Sequence, residues 1–159
     1  MKNSKKKKTN RIKANILFVL VILLFTSCYS PRIFFENKKN KSNFNVNRVN
    51  KYYKLNDKKY SLLILTDGYN KTKIQIINNE KIFDTLVTSG SGSGLATAIR
   101  INNNYDVLII DKTRNIKLKL NKEYLKKYKY IYVGYGYKNI YTRKKKYNIT
   151  YSKFLHMFS

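Results

Sequence analysis

Beyond residue 60 the apolar residues recur every second position. Ile74 and Ile76 alternate with Lys73 and Gln75, Ile99 and Ile101 flank Arg100, and Ile116, Leu118 and Leu120 alternate with Lys117 and Lys119. That period describes strands with one buried and one wet face. Leu62 to Thr66 and Val107 to Ile110 read as continuously apolar, the pattern of central strands covered on both faces. Ile82 to Val87 and Tyr130 to Tyr137 supply two more strands, and Tyr147 to Ser152 closes the sheet. Asp67-Gly68-Tyr69-Asn70, Asn78-Asn79-Glu80, Asn102-Asn103-Asn104 and Thr113-Arg114-Asn115 fall between the runs and favour turns, so antiparallel hairpins are expected. Only Glu123 to Tyr128 has the look of a helical turn. These signals predict an all-β domain over residues 60–159, an antiparallel β-sandwich of the immunoglobulin-like or transthyretin-like kind, with a small barrel as the alternative.

Upstream the pattern is different. Lys2, Lys5 to Lys8, Arg11 and Lys13 precede an unbroken apolar run from Ile16 to Phe25, the order of parts of a signal peptide. Ten helical residues reach about 15 Å, half of a ~30 Å hydrocarbon core, which is too short for a permanent span. From Tyr29 to Lys59 the chain is rich in Asn, Lys and Arg, with Pro31 near its start and scattered apolar residues. No period holds there, and the segment reads as a flexible basic tether with a reach of about 30 Å. Its cations, Arg32, Lys38, Lys39, Lys41 and Arg48, suit contact with anionic head groups.

The apolar run ends Phe25-Thr26-Ser27-Cys28, and Cys28 is the only cysteine. These residues resemble the lipobox of bacterial lipoproteins, with Phe25 where leucine is usual. The resemblance covers residues 1–28. It implies a signal peptide over 1–27, a diacylglycerol thioether on Cys28 after cleavage, and a lipidated tether over 28–59. Two or three acyl chains make a stable anchor, which predicts a protein that sits on a membrane without spanning it. Because Tyr29 replaces the aspartate associated with inner-membrane retention, the resemblance leans towards the outer membrane, facing periplasm or cell surface.

Charge changes the picture further. The chain carries 34 Lys and Arg against 8 Asp and Glu, a net charge of +26. Loss of the seven basic residues of 1–27 leaves 27 against 8, or +19. Codon bias of an AT-rich genome accounts for the lysine, yet glutamate also has an AT-rich codon and occurs only at positions 36, 80 and 123. An excess of this size points to anionic surroundings.

The side chains that carry catalytic chemistry are sparse. His156 is the single histidine, so with Cys28 reserved for lipid no familiar zinc site and no Cys-His or Ser-His-Asp arrangement is expected. Asp67, Glu80, Asp84, Asp106 and Asp111 match no calcium loop, and no paired-carboxylate glycosidase is indicated. No metal or cofactor is expected. Ser89-Gly90-Ser91-Gly92-Ser93-Gly94 follows a strand as a phosphate loop would, but Leu95-Ala96 stand where the Lys and hydroxyl of a Walker motif belong, so a mobile interstrand loop is the plain reading. Tyr128, Tyr130 and Tyr132 occupy alternate positions and share a strand face; with Ile131 and Val133 inward they form an exposed ladder beside Lys126, Lys127 and Lys129, left flat by Gly134 and Gly136. Such a surface suits anionic glycan or lipopolysaccharide. The sequence-based expectation is therefore a non-enzymatic envelope lipoprotein acting as a structural or interaction module. The alternatives are glycan binding on the Tyr/Lys face, or an accessory or immunity lipoprotein that captures a protein partner; nucleic acid is excluded by the export signal.

Overall fold

The computed structural model describes residues 30–37, 46–91, 94–137 and 144–156. The signal segment, with Phe25, Thr26, Ser27 and Cys28, lies outside them. The described chain forms β1 (Arg32–Glu36), α1 (Val46–Tyr52), β2 (Tyr60–Leu65), β3 (Thr72–Asn78), β4 (Lys81–Val87), β5 (Thr97–Asn102), β6 (Val107–Asp111), β7 (Ile116–Leu120), α2 (Lys122–Leu125), β8 (Tyr130–Gly136) and β9 (Lys146–Ser152). One sheet has the order β1-β9-β8-β2-β5 and the other β4-β3-β6-β7. This is an all-β sandwich.

Local chemistry explains the hairpins. β3 and β4 are joined through Asn79, at φ 58°, and β6 and β7 through a turn ending in Asn115, at φ 55°. Asparagine enters this left-handed region more readily than other side chains do. Asn121 caps α2, its side chain accepting from the Glu123 N–H at 2.8 Å.

Two pairings depart from the expected hairpins, because β1 runs parallel to β9 and β2 parallel to β8. Between β2 and β8 the chain builds the whole second sheet and also β5 of the first, which supplies the long crossover that a parallel pair needs.

Cross-strand register defines two faces on the five-stranded sheet. Leu63 and Leu65 of β2 lie beside Ile131 and Val133 of β8, which lie beside Tyr151 and Ile149 of β9. All six are buried, on the face towards the second sheet's Ile74, Ile76, Ile109, Leu118 and Leu120. Leu62, Ile64, Tyr130 and Tyr132 point the other way and are buried as well, against Leu55, Leu155, Val46, Val49 and Tyr53. β2 is thus covered on both faces, as its apolar run predicts. β6 is not: Val107 and Ile109 are buried while Leu108 and Ile110 are half-buried on the outer face of the four-stranded sheet.

The segment read as a tether is largely part of the domain. β1 adds an edge strand with five registered pairs from Arg32↔Asn148 to Glu36↔Ser152. Residues 46–55 lay α1 and Leu55, 1% exposed, over the first sheet. The folded unit begins at Pro31 rather than at residue 60.

Candidate functional site

The tyrosine ladder is the first expectation to be corrected. Tyr130 and Tyr132 are only 3% and 4% exposed. Ile131 and Val133 do point inward, but the tyrosines' own face is covered by α1, Leu55 and Leu155. The Tyr130 hydroxyl donates to Asn50 Oδ1 at 2.8 Å, and the Tyr132 hydroxyl accepts from the His156 N–H at 2.7 Å. Burial pushes the Tyr132 phenol well above its ordinary range. Tyr128 precedes β8 and turns elsewhere, into a cluster with Phe35 and Tyr151 at ring separations of 5.6 and 5.8 Å.

The flanking lysines are equally dispersed. Lys129 Nζ donates to the carbonyls of Leu55, Asp57 and Tyr60, clamping the loop before β2, and desolvation lowers its pKa. Lys126 pairs with Glu123 at 3.6 Å, and Lys127 is exposed. Gly134 is buried, and a Cβ there would stand 2.6 Å from Thr66 Oγ1, whereas a Cβ at Gly136 would meet nothing within 4 Å among the described residues. These two glycines line a groove of about 340 Å³ with Asp67, Asn148 and Thr150. No flat Tyr/Lys surface for a glycan forms on β8.

A cleft that sequence reasoning missed lies between the edge strands β4 and β5, with a volume of about 330 Å³. Phe83 and Lys81 come from β4, Ile99 and Arg100 from β5, and Tyr60 from β2. Asn78 shapes its base: Nδ2 donates to the Asn102 carbonyl at 3.1 Å and Oδ1 accepts the Asn102 N–H at 2.6 Å, joining β3 to β5. Arg100 lies 4.4 Å over the Tyr60 ring, and neither Arg100 nor Lys81 forms an ion pair among the described residues. Among the described residues no carboxylate lines the cleft. Two cations with aromatic walls and three asparagines favour an anionic ligand with hydroxyl groups.

Four of the aspartates are paired within their own chain. Asp57 pairs with Lys59, Asp84 with Lys112, Asp106 with Lys119 and Asp111 with Arg114, at 2.7 to 3.0 Å. Hydrogen bonds from lysine side chains or neighbouring backbone hold Asp57, Asp84 and Asp106 below the usual carboxylate range. Among the described residues no three Asp, Glu, His or Cys gather as metal ligands would.

Ser152, His156 and Glu36 do meet, which the sequence did not foretell. The His156 Nε2 lies 2.8 Å from Ser152 Oγ and 3.0 Å from Glu36 Oε2. A catalytic relay needs serine and carboxylate on opposite ring nitrogens. Here both address the same nitrogen and Ser152 is fully buried, so the trio fastens the end of β1 to the chain after β9. The Ser89–Gly94 loop is closed at its base, with Ser89 Oγ donating to the Thr66 carbonyl at 2.7 Å and the Gly90 N–H to the Leu95 carbonyl at 3.1 Å; residues 92 and 93 lie outside the described chain. Among the described residues no helix is long and apolar enough to cross a membrane.

No protein-family model matches this chain, and no curated protein matches it.

Proposed function

We propose that the chain is an envelope lipoprotein, anchored through lipid on Cys28, whose β-sandwich is a binding module rather than an enzyme. The observation that carries the binding role is the cleft between β4 and β5. Among the described residues Lys81 and Arg100 are set there without carboxylate partners, beside the flat rings of Tyr60 and Phe83 and the amides of Asn78, Asn79 and Asn102. A glycan bearing carboxylate, sulfate or phosphate groups fits that chemistry: cations for the charge, rings for the sugar faces and amides for the hydroxyls. At about 330 Å³ the cleft lies at the small end of ligand sites. In this proposal the glycan reading of the sequence keeps its ligand class and moves from the central strand β8 to the edge where β5 meets β4.

Calorimetric titration with a uronate oligosaccharide and with a neutral oligosaccharide of equal length tests the binding role. Only the anionic one should bind, and Arg100→Ala or Lys81→Ala should each weaken it about tenfold, as loss of a charged hydrogen bond does. Equal affinity for both sugars, or unchanged affinity in both variants, rules the cleft out. The anchor is tested by intact mass and membrane partition after expression in a bacterial host. Wild type should lack residues 1–27 and carry acyl chains, and Cys28→Ala should carry none.

A further inference from the structure

The two edges of the four-stranded sheet are built differently, and the alternation of backbone hydrogen bonds shows how. The Lys112 N–H donates to the Lys73 carbonyl at 2.9 Å, which fixes Lys73, Gln75 and Ile77 as the residues of β3 whose backbone faces β6. Thr72, Ile74, Ile76 and Asn78 therefore face β4, where they bond to Val87, Thr85, Phe83 and Lys81. The N–H and C=O groups of Ile82, Asp84 and Leu86 are left on the open edge. By the same alternation the open groups of β7 belong to Lys117 and Lys119.

Lysine on an edge discourages pairing with another strand, and β7 carries it at both open positions. β5, across the cleft, has the open groups of Asn102 taken by the Asn78 side chain, with Arg100 next along the edge. β4 has no such guard. Its seven registered pairs run without a bulge, and Ile82 and Leu86 are each 60% exposed. Asp84 stands between them, held by Lys112 and Gln75, both at 2.7 Å. An exposed apolar edge with open backbone groups is what a further strand covers.

We propose that β4 pairs antiparallel with β4 of a second copy of this chain, joining the two four-stranded sheets into one continuous sheet. The strand is its own complement. About a two-fold axis at Asp84, Ile82 of each copy falls opposite Leu86 of the other, and all three open residues exchange backbone hydrogen bonds. The outer-face row Leu108, Ile77, Ile82 then continues into the second copy's Leu86, so apolar side chains meet across the junction. The two Asp84 carboxylates arrive with a Lys112 ammonium on each, which offsets their repulsion. Lys81 and Phe83, which line the cleft, have their backbone bonded to β3 and their side chains on the other face, so pairing uses positions that the glycan site leaves free. One strand per copy is a small interface against the roughly 1,200 Å² of stable complexes, and both chains carry net positive charge. The dimer therefore dissociates on dilution and tightens as salt screens that charge.

Sedimentation of the full chain in excess neutral detergent, from dilute to concentrated, tests this together with amide exchange followed by NMR. A monomer–dimer equilibrium is expected, tighter at high salt. On association the amides of Ile82, Asp84 and Leu86 should exchange at least about tenfold more slowly, whereas those of Phe83 and Thr85, already bonded to β3, should change little. Ile82→Lys and Leu86→Lys should each weaken the dimer at least about tenfold and leave the monomer's circular dichroism unchanged, because both positions are exposed. A chain that stays monomeric at every concentration overturns the pairing. So does a dimer that survives both substitutions, or one whose three open amides exchange as fast as in the monomer. None of these outcomes bears on the lipid anchor or on the cleft, which are read by other measurements.

Discussion

The Tyr147 phenol donates a 2.6 Å hydrogen bond to Asp111 Oδ2, joining β9 of one sheet to β6 of the other through the buried core. Arg114 Nη1 donates to the same oxygen at 2.7 Å, the Arg114 N–H donates to Oδ1 at 2.8 Å, and Nη2 donates to the Gly68 carbonyl at 2.8 Å. Its guanidinium covers the Tyr135 ring at 4.2 Å. The Asp111 carboxylate, 1% exposed, is thus supplied with both a countercharge and donors. Removing one partner of such a group costs more than the group contributes, because the other partners remain buried and unmatched. Asp111→Ala should lower stability by about 3–5 kcal/mol. Tyr147→Phe, which keeps the ring, should cost about 1–2 kcal/mol. Denaturant midpoints measure both; equal losses would mean that the charge plays no special part.

The cover over β2 and β8 should prove structural. Leu55→Ala removes a buried side chain that packs on Tyr130 and Tyr132, and should cost about 2–5 kcal/mol by chemical denaturation. A flexible tether would tolerate the change within about 0.5 kcal/mol.

Alkali should unfold the domain. Burial raises the phenols of Tyr132, Tyr147 and Tyr151 above the ordinary value of 10.0. The folded state then keeps its protons at pH values where the unfolded chain loses them, so the stabilisation is complete below the ordinary phenol range and is lost as pH rises through and beyond it. The melting temperature should fall steeply above about pH 10, with a cooperative rise in tyrosinate absorbance at unfolding. At the other extreme, Asp57, Asp84 and Asp106 lie below their ordinary value of 3.8, so what they contribute is present above that value and disappears as pH falls below it. Asp57 and Asp84 are exposed and Asp106 is half-buried at the surface, so solvent screens all three and the acid limb should be shallow.

Two glycines should respond oppositely to a methyl group. At Gly68, φ +84°, a Cβ would fall 1.7 Å from the Tyr135 carbonyl oxygen, a backbone atom that cannot turn aside. Gly68→Ala should cost about 2–4 kcal/mol from strain and overlap together. At Gly136 a Cβ would meet nothing within 4 Å among the described residues. Gly136→Ala should shift the thermal midpoint little, within about 0.5 kcal/mol.

Period-two alternation, with the continuously apolar runs at β2 and β6, was enough to locate the strands from β2 to β9, because each has a core face that must be apolar. β1 and α1 were hidden for a physical reason. Ile33, Phe34 and Phe35 are all exposed in an edge strand, so no alternation marks them. α1 is only seven residues long and carries its apolar contacts on Val46 and Val49, with Tyr53 just beyond, amid Asn, Arg and Lys. Spacings of three and four among those residues were the available signal. Missing α1 also produced the error at β8: Tyr130 and Tyr132 were assigned to the correct strand face, but the cover for that face came from residues read as tether. The β4–β5 cleft was illegible for another reason. Lys81, Phe83 and Arg100 are ordinary residues of alternating strands, and only the strand order reveals that β4 and β5 are neighbouring edges.

β1 is also a mechanical element. Its chain enters at the end nearest Cys28 and runs along the sheet edge parallel to β9, with Arg32 bonded at its start and Glu36 held by His156 at its finish. If the protein is pulled against a lipid-held Cys28, tension enters along the axis of this strand. The ladder between β1 and β9 then meets the load in shear, with five registered pairs resisting together instead of parting one at a time. Under such a pull, an edge strand that adds little to the core would be the joint through which drag on the domain passes to the lipid-held cysteine.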